Sequence, residues 1–285
     1  MKFLGMDGGG THIAVSIVNE KGNNLMEFEI NTGVNLTSVD QERLKNIFKE
    51  IYYKTGFVDG IVVSFSGAGT QKRKDNLKSI IKDVFKIDEI IVYNDGESIL
   101  YACYNGNNEA LVISGTGTVV MGMTSEKQII RSGGWGHLFN DVGGGFWIAT
   151  RIIQEAFRYR DELREFDPIF ERLKIYYRVD AIEELTSLQG KEDFKTIISS
   201  FTKDALKEPT LLVKEIVEEG IQDLSFRCKM ILDKLALKEI YTHGGLFESK
   251  FYQSVFKEFM HPYSILPLKI NVSEQMALLA KKHST

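Results

Sequence analysis

The chain is poor in cysteine and proline, with two cysteines and four prolines in 285 residues. Cys103 and Cys228 lie far apart in apolar helical stretches, so they read as small buried hydrophobes rather than a disulfide framework. Its five histidines show no H-x-x-x-H or comparable spacing, which disfavours a zinc or iron–sulfur centre. No apolar run approaches the roughly 18 residues that a membrane span needs, so no membrane partner is expected. Residue 1 leads straight into a strand without a charged-then-apolar leader, making the cytoplasm the expected compartment. Basic excess is missing too. Thirty-five Lys and Arg against 39 Asp and Glu leave a net charge of −4, so nucleic acid is not an expected partner.

What is present is an ordinary globular composition, 43% hydrophobic and 26% charged, long enough for one large domain or two of common size. Residues 3–7, 12–18 and 24–30 read as three strands joined by glycine-rich turns. An amphipathic helix follows over 39–55, then a strand at 60–65, a basic helix near 72–86, a strand at 89–94 and a helix at 95–104. Near 109 the pattern restarts with "EALVISGTGTVVMGM", which is strand, glycine turn, strand, and "QIIRSGG" as a third strand. Helix fills most of 143–235, and "KEIYTHGGLF" is a strand running into a glycine turn, with another helix beyond. The expected fold is therefore a duplicated α/β core. Its first lobe covers 1–107 and its second, enlarged by helices, covers 108–269, with a ligand cleft between them.

Four glycine-bearing segments and one aspartate carry the chemistry. In "MDGGGT", Asp7-Gly8-Gly9-Gly10-Thr11 can point backbone N–H groups at a phosphate, although a plain hairpin turn suits the same residues. No lysine follows the glycines, as a Walker-type loop would require. Asp7 would repel phosphate, so its useful part is to hold Mg²⁺ through water. The second lobe repeats the chemistry in Ser114-Gly115-Thr116-Gly117-Thr118, and two such hairpins can grip a polyphosphate from both sides.

In "VYNDGESIL", Asn94 and Glu97 have capping-box spacing, which leaves Asp95 in the first helical turn at the end of a strand. A carboxylate there serves either the helix terminus or a hydroxyl that attacks phosphorus. In "GGWGHLFNDVGGGF", Asp141 suits either an N-cap for a helix near Phe146 or a sugar hydroxyl, and Trp135 suits either the core or a sugar face. The Gly244-Gly245 pair of "THGG" suits a strand–helix turn or a flat adenine.

In this order the segments resemble the actin-like ATPase and sugar-kinase superfamily, and within it the N-acetylglucosamine kinase-like branch grouped with BadF/BadG/BcrA/BcrD-type ATPases. The resemblance runs nearly end to end, and "GGWGHLFND" is its most specific piece. It implies two actin-like (ribonuclease H-like) α/β lobes, with a last helix at 270–285 rejoining the first. It also implies ATP and Mg²⁺ as cofactors, and transfer of the γ-phosphate to the 6-hydroxyl of an amino sugar. Thr11 and Thr116 would touch phosphates beside Gly8, Gly9, Gly10, Gly115 and Gly117, with Asp7 on the Mg²⁺ side and Gly244 and Gly245 at adenosine. Asp95 would be the catalytic base, and Asn35, Thr118, Gly134, Trp135, Gly136 and Asp141 would line the sugar pocket.

Where such relatives carry Gly-Asp-Glu-Gly, this chain has Asn140-Asp141-Val142-Gly143, which keeps the aspartate, loses a neighbouring acid and leaves the sugar open. An iron–sulfur-bridged ATPase activator and a glucose-directed hexokinase are the alternative readings. The first needs cysteines near the glycine loops, and Cys103 and Cys228 do not lie there. A helix-rich second lobe leaves surface for a homodimer.

Overall fold

The computed structural model describes residues 1–9, 12–34, 36, 39–191 and 193–284. Gly10, Thr11 and Asn35, three of the expected site residues, lie outside the described residues.

The chain divides into two compact units, one of Met1–Tyr104 with the returning segment from Lys269, the other of Asn105–Leu268. The first is built on a five-stranded sheet of β1 (Lys2–Gly8), β2 (Ile13–Asn19), β3 (Asn24–Ile30), β4 (Gly60–Phe65) and β5 (Ile90–Tyr93), in the order β3-β2-β1-β4-β5. Strands β1, β2 and β3 pair antiparallel, whereas β4 lies parallel to both β1 and β5. Every residue of β4 is buried, which is why it reads in sequence as an unbroken apolar run.

Helices α1 (Gln41–Thr55) and α2 (Gln71–Phe85) bury Leu44, Phe48 and Ile51, and Leu77 and Ile81, in one core with Leu4, Met6, Val15 and Val63 of the sheet. Asp40 starts α1 by accepting the N–H groups of Glu42 and Arg43, and Gly56 ends it at φ 68°. The short helix α3 (Asp95–Cys103) follows β5. The C-terminal helix α9 (Val272–Ser284) packs on β1, β2 and β4, and Ser273 Oγ meets Ser16 Oγ at 2.7 Å in the interior. The helix can come this close only because β1 has no side chain at Gly5, where a Cβ would lie 1.9 Å from Ser273 O.

The second unit repeats the plan. Strands β6 (Glu109–Ser114), β7 (Thr118–Met123), β8 (Ile129–Gly133), β9 (Glu239–His243) and β10 (Ser264–Pro267) lie in the order β10-β9-β6-β7-β8. Its first three strands are again antiparallel, and β9 is parallel to both β6 and β10. Between β8 and β9 the chain inserts α4 (Gly145–Arg160), α5 (Ile169–Tyr177), a 3₁₀ segment at Ile182–Gly190, α6 (Phe194–Ala205) and the 25-residue α7 (Leu211–Leu235). Helix α8 (Lys250–Met260) precedes β10. Their apolar faces form one core with Val112, Val120 and Ile240 of the sheet. Cys228 is fully buried on α7 and Cys103 is half-buried, and no disulfide joins them.

Candidate active site

In the first unit the hairpin after β1 closes through Gly9 N–H donating to His12 O at 3.1 Å. Half-buried Asp7, at the end of β1, stands in register with Ser64 of β4. Strand β5 lies on the far side of β4, and Asp95 opens the helix that follows it. Neighbouring strands are about 4.8 Å apart, so β1 and β5, parallel to the β4 between them, bring these two residues to the same end of the sheet, roughly two strand spacings apart.

The turn that carries Asp95 is held from several sides. Asn94 Oδ1 accepts from Glu97 N–H at 2.9 Å while Glu97 accepts from Asn94 N–H at 3.1 Å, a complete capping box. Glu97 also pairs with Lys74 of α2, both side chains 19% exposed. Ser98 Oγ donates to Ser64 Oγ and contacts Asp95 O, each at 2.9 Å, tying the turn to the strand beside Asp7. Asp95 itself is exposed, and one of its carboxylate oxygens accepts from Gly96 N–H at 3.2 Å. The capping box and an outward Asp95 thus coexist at this junction.

The second unit surrounds its hairpin with side chains. Ser114 is buried and its hydroxyl lies 2.8 Å from Tyr252 OH, which donates to Gly143 O at 2.9 Å. The carbonyls of Gly115 and Thr116 accept the N–H groups of Gly145 and Phe146 at 2.8 and 2.9 Å, so the start of α4 grips the loop by its backbone. Thr116 is exposed at the tip, and a Cβ on Gly115 would meet nothing within 4 Å. A Cβ on Gly117, by contrast, would lie 2.3 Å from the Asp141 carboxylate. Gly143 and Gly220 of α7 also touch through bare backbone: a Cβ on Gly143 would lie 2.7 Å from Gly220 O.

Asp141 is only 6% exposed, and its Oδ1 has no hydrogen-bond partner among the described residues. Burial pushes its pKa up, opposed by the charge of Lys195, the Gly136 N–H, His137 and Arg227. Its side chain caps no helix, because the N-cap of α4 is Gly144. His137 packs edge-on against Phe146 and Phe194 with ring centres 4.8 and 5.7 Å away, and burial, followed by the nearby charge of Lys195, lowers its pKa. Trp135 is 65% exposed and so is no core residue. Arg131 lies over its ring at 4.6 Å and donates to the carbonyls of Gly133 and Gly134. Gly134 and Gly136 take φ of 70° and 102°.

Thr118 is buried, and its hydroxyl donates to Val142 O at 3.0 Å and accepts from Arg227 Nη2 at 3.2 Å. Arg227, 7% exposed on α7, donates to Val142 O as well and pairs with Asp223. Gly244 adopts φ 105° directly over Ser114, whose carbonyl a Cβ would approach to 2.4 Å. At Gly245 the nearest atoms to such a Cβ belong to Lys203, 3.7 to 3.8 Å away. Asp7, Gly8, Gly9 and Asp95 therefore share the first unit. Gly115 to Thr118, Gly134 to Gly136, Asp141, Gly244 and Gly245 share the second.

Arg131, Arg227 and Tyr252 were not among the expected site residues. Only Arg227 left a signal in sequence, a charged residue on the buried stripe that includes Gly220, Leu224 and Ile231 of α7. No three His, Cys, Asp or Glu gather into a metal cage among the described residues. A Mg²⁺ carried by nucleotide phosphates and water would need one or two carboxylates from the protein, and half-buried Asp7 near the end of β1 is a carboxylate of that kind. Among the described residues no helix is long and apolar enough to cross a membrane.

The family model for BadF/BadG/BcrA/BcrD ATPases matches residues 4–265. The chain belongs to that family. It is 26% identical to the N-acetylmuramic acid/N-acetylglucosamine kinase of Clostridium acetobutylicum, over 92% of this chain and 91% of that protein. It is 28% identical to the N-acetyl-D-glucosamine kinase of Dictyostelium discoideum over 56% of each chain. The crystal structure of a proposed N-acetylglucosamine kinase from Porphyromonas gingivalis superimposes with a TM-score of 0.82 at 16% identity, covering 99% of this chain and all of that one. The fold of that crystal structure thus covers nearly the whole chain, both sheets included.

Proposed function

We propose that the chain is an ATP-dependent kinase that transfers the γ-phosphate to the 6-hydroxyl of an amino sugar, N-acetylglucosamine or its close relative N-acetylmuramic acid. The observation that carries this reading is the repeated sheet plan with a glycine hairpin at the same place in each copy, together with Asp95 at the end of β5. Membership in an ATPase family and the activities for which its amino-sugar kinase relatives are named support it.

In this reading Asp95 accepts the proton of the sugar hydroxyl as that oxygen attacks the γ-phosphorus, and the capping box with Lys74 holds its turn in place. The hairpins at Gly8–Gly9 and Gly115–Gly117 hold the phosphates, with Thr11 and Thr116 contributing hydroxyls, and the Gly244–Gly245 turn meets the adenosine. Mg²⁺, held at Asp7 through water, would offset phosphate charge. Asp141 offers Oδ1 to a sugar hydroxyl or amide, Trp135 offers a ring face, and Thr118 keeps Val142 in place beneath them. Asn35, Gly134 and Gly136 complete the pocket.

The test is product identity. Incubation with Mg-ATP and N-acetylglucosamine should yield a sugar monophosphate with phosphorus coupled to the C6 protons by NMR. Absence of any phosphorylated sugar from N-acetylglucosamine and N-acetylmuramic acid would refute the reading.

A further inference from the structure

Neither glycine hairpin contains a lysine, yet helix α6 brings two lysines to the turns of the second unit. The position of α6 is fixed midway along one face. Thr202 Oγ1 donates to Gly145 O at 2.6 Å, and a Cβ at Gly145 would lie 3.5 Å from Ser199 O. Gly145 in turn donates its N–H to Gly115 O, so this point of α6 is one residue removed from the hairpin itself.

Lys195 precedes Ser199 by four residues and Lys203 follows it by four, which places all three on one stripe of the helix. Eight residues at about 1.5 Å each separate the two lysine backbones by roughly 12 Å along the axis. Toward one end, Lys195 is near enough for its charge to act on both Asp141 and His137. Toward the other, the Lys203 ammonium lies 3.8 Å from where a Gly245 side chain would begin. Its only ion pair among the described residues is with Glu248 at 3.9 Å, with side chains 69% and 76% exposed, and such a pair holds the ammonium weakly.

We propose that Lys195 and Lys203 bind the phosphates of the nucleotide, so that α6 supplies from outside the loops the cations the hairpins lack. The inference rests on the kinase reading. It adds that Lys195, at the Asp141 end where the acceptor sugar is placed, serves the terminal phosphate, while Lys203 serves the end nearer adenosine.

The test is calorimetric titration of the whole protein with Mg-ATP and Mg-ADP, for the wild type, K195M, K203M, K195R and K203R, with melting temperature as a check on folding. Each Met variant is expected to lose about 10- to 100-fold in Mg-ATP affinity, the worth of one charged hydrogen bond. K195M should lose more toward ATP than toward ADP, K203M should lose equally toward both, and each Arg variant should recover most of the affinity. Melting temperatures should barely move, because Lys203 is exposed and Lys195 half-exposed. Unchanged Mg-ATP affinity in either Met variant, against a wild type that binds, overturns the role of that lysine alone. A wild type that binds no Mg-ATP overturns the kinase reading and this inference together.

Discussion

The two glycine hairpins sit at the same place in two copies of one sheet plan, yet they are supported in different ways. The first closes on a backbone hydrogen bond from Gly9 to His12, and the carboxylates of Asp7 and Asp95 at that end of the sheet are half-buried and exposed. The second rests on a dense buried set of polar side chains in which Ser114, Tyr252, Thr118 and Arg227 are all nearly or fully covered. The contrast teaches a division of labour. In the proposed reading the carboxylates assigned to proton transfer and to Mg²⁺ stay near water, whereas the hydroxyls of Ser114, Thr118 and Tyr252, which fix the second hairpin, are buried and hydrogen-bonded.

Breaking the first copy should therefore damage chemistry and spare stability. Asp95→Asn is expected to lower kcat by about two to four orders of magnitude, the usual span for a general base, with little change in sugar KM. Steady-state kinetics with circular-dichroism melts would check both parts.

Breaking the second copy should cost stability. Arg227→Met takes a donor from Thr118 and Val142 and is expected to destabilise by about 1–3 kcal/mol, read from urea denaturation. Tyr252→Phe removes the link between Ser114 and Gly143 and should cost about 1 kcal/mol in the same measurement.

Asp141 sharpens the comparison because it belongs to the buried set and yet its Oδ1 has no hydrogen-bond partner among the described residues. Its folded pKa is raised, so the folded chain holds this proton more tightly than the unfolded chain, whose value is about 3.9. Stability from this group is therefore full at low pH and falls as pH rises from about 4 through the raised value. Asp141→Asn should remove that slope, the smallest of these effects, seen as a difference between the two pH–stability curves. If Asp141 receives the sugar, the same variant also raises the sugar KM.

The repeated plan was legible because glycine turns punctuate the strands and alternation marks them. Residues 60–65 match β4 in full, and the helix read over 95–104 differs from α3 by one residue. Strand β10 was not legible. It has four residues, sits at a sheet edge and ends in Pro267, so it shows neither a long apolar run nor clear alternation. The capping box at Asn94 was readable because it is local. Whether Asp141 capped a helix was not readable, because that depends on where α4 starts, and glycines at 143, 144 and 145 leave the boundary unmarked. The bonds from Arg227 to Thr118 and from Tyr252 to Ser114 span more than a hundred residues, and no local pattern encodes them.

The most direct test of the account is ADP release by the wild-type protein with Mg-ATP, measured without sugar and with N-acetylglucosamine, N-acetylmuramic acid, glucosamine and glucose in turn. Negligible release without sugar and strong stimulation by an N-acetylated amino sugar are expected. ADP release at the same rate with and without every sugar would contradict it.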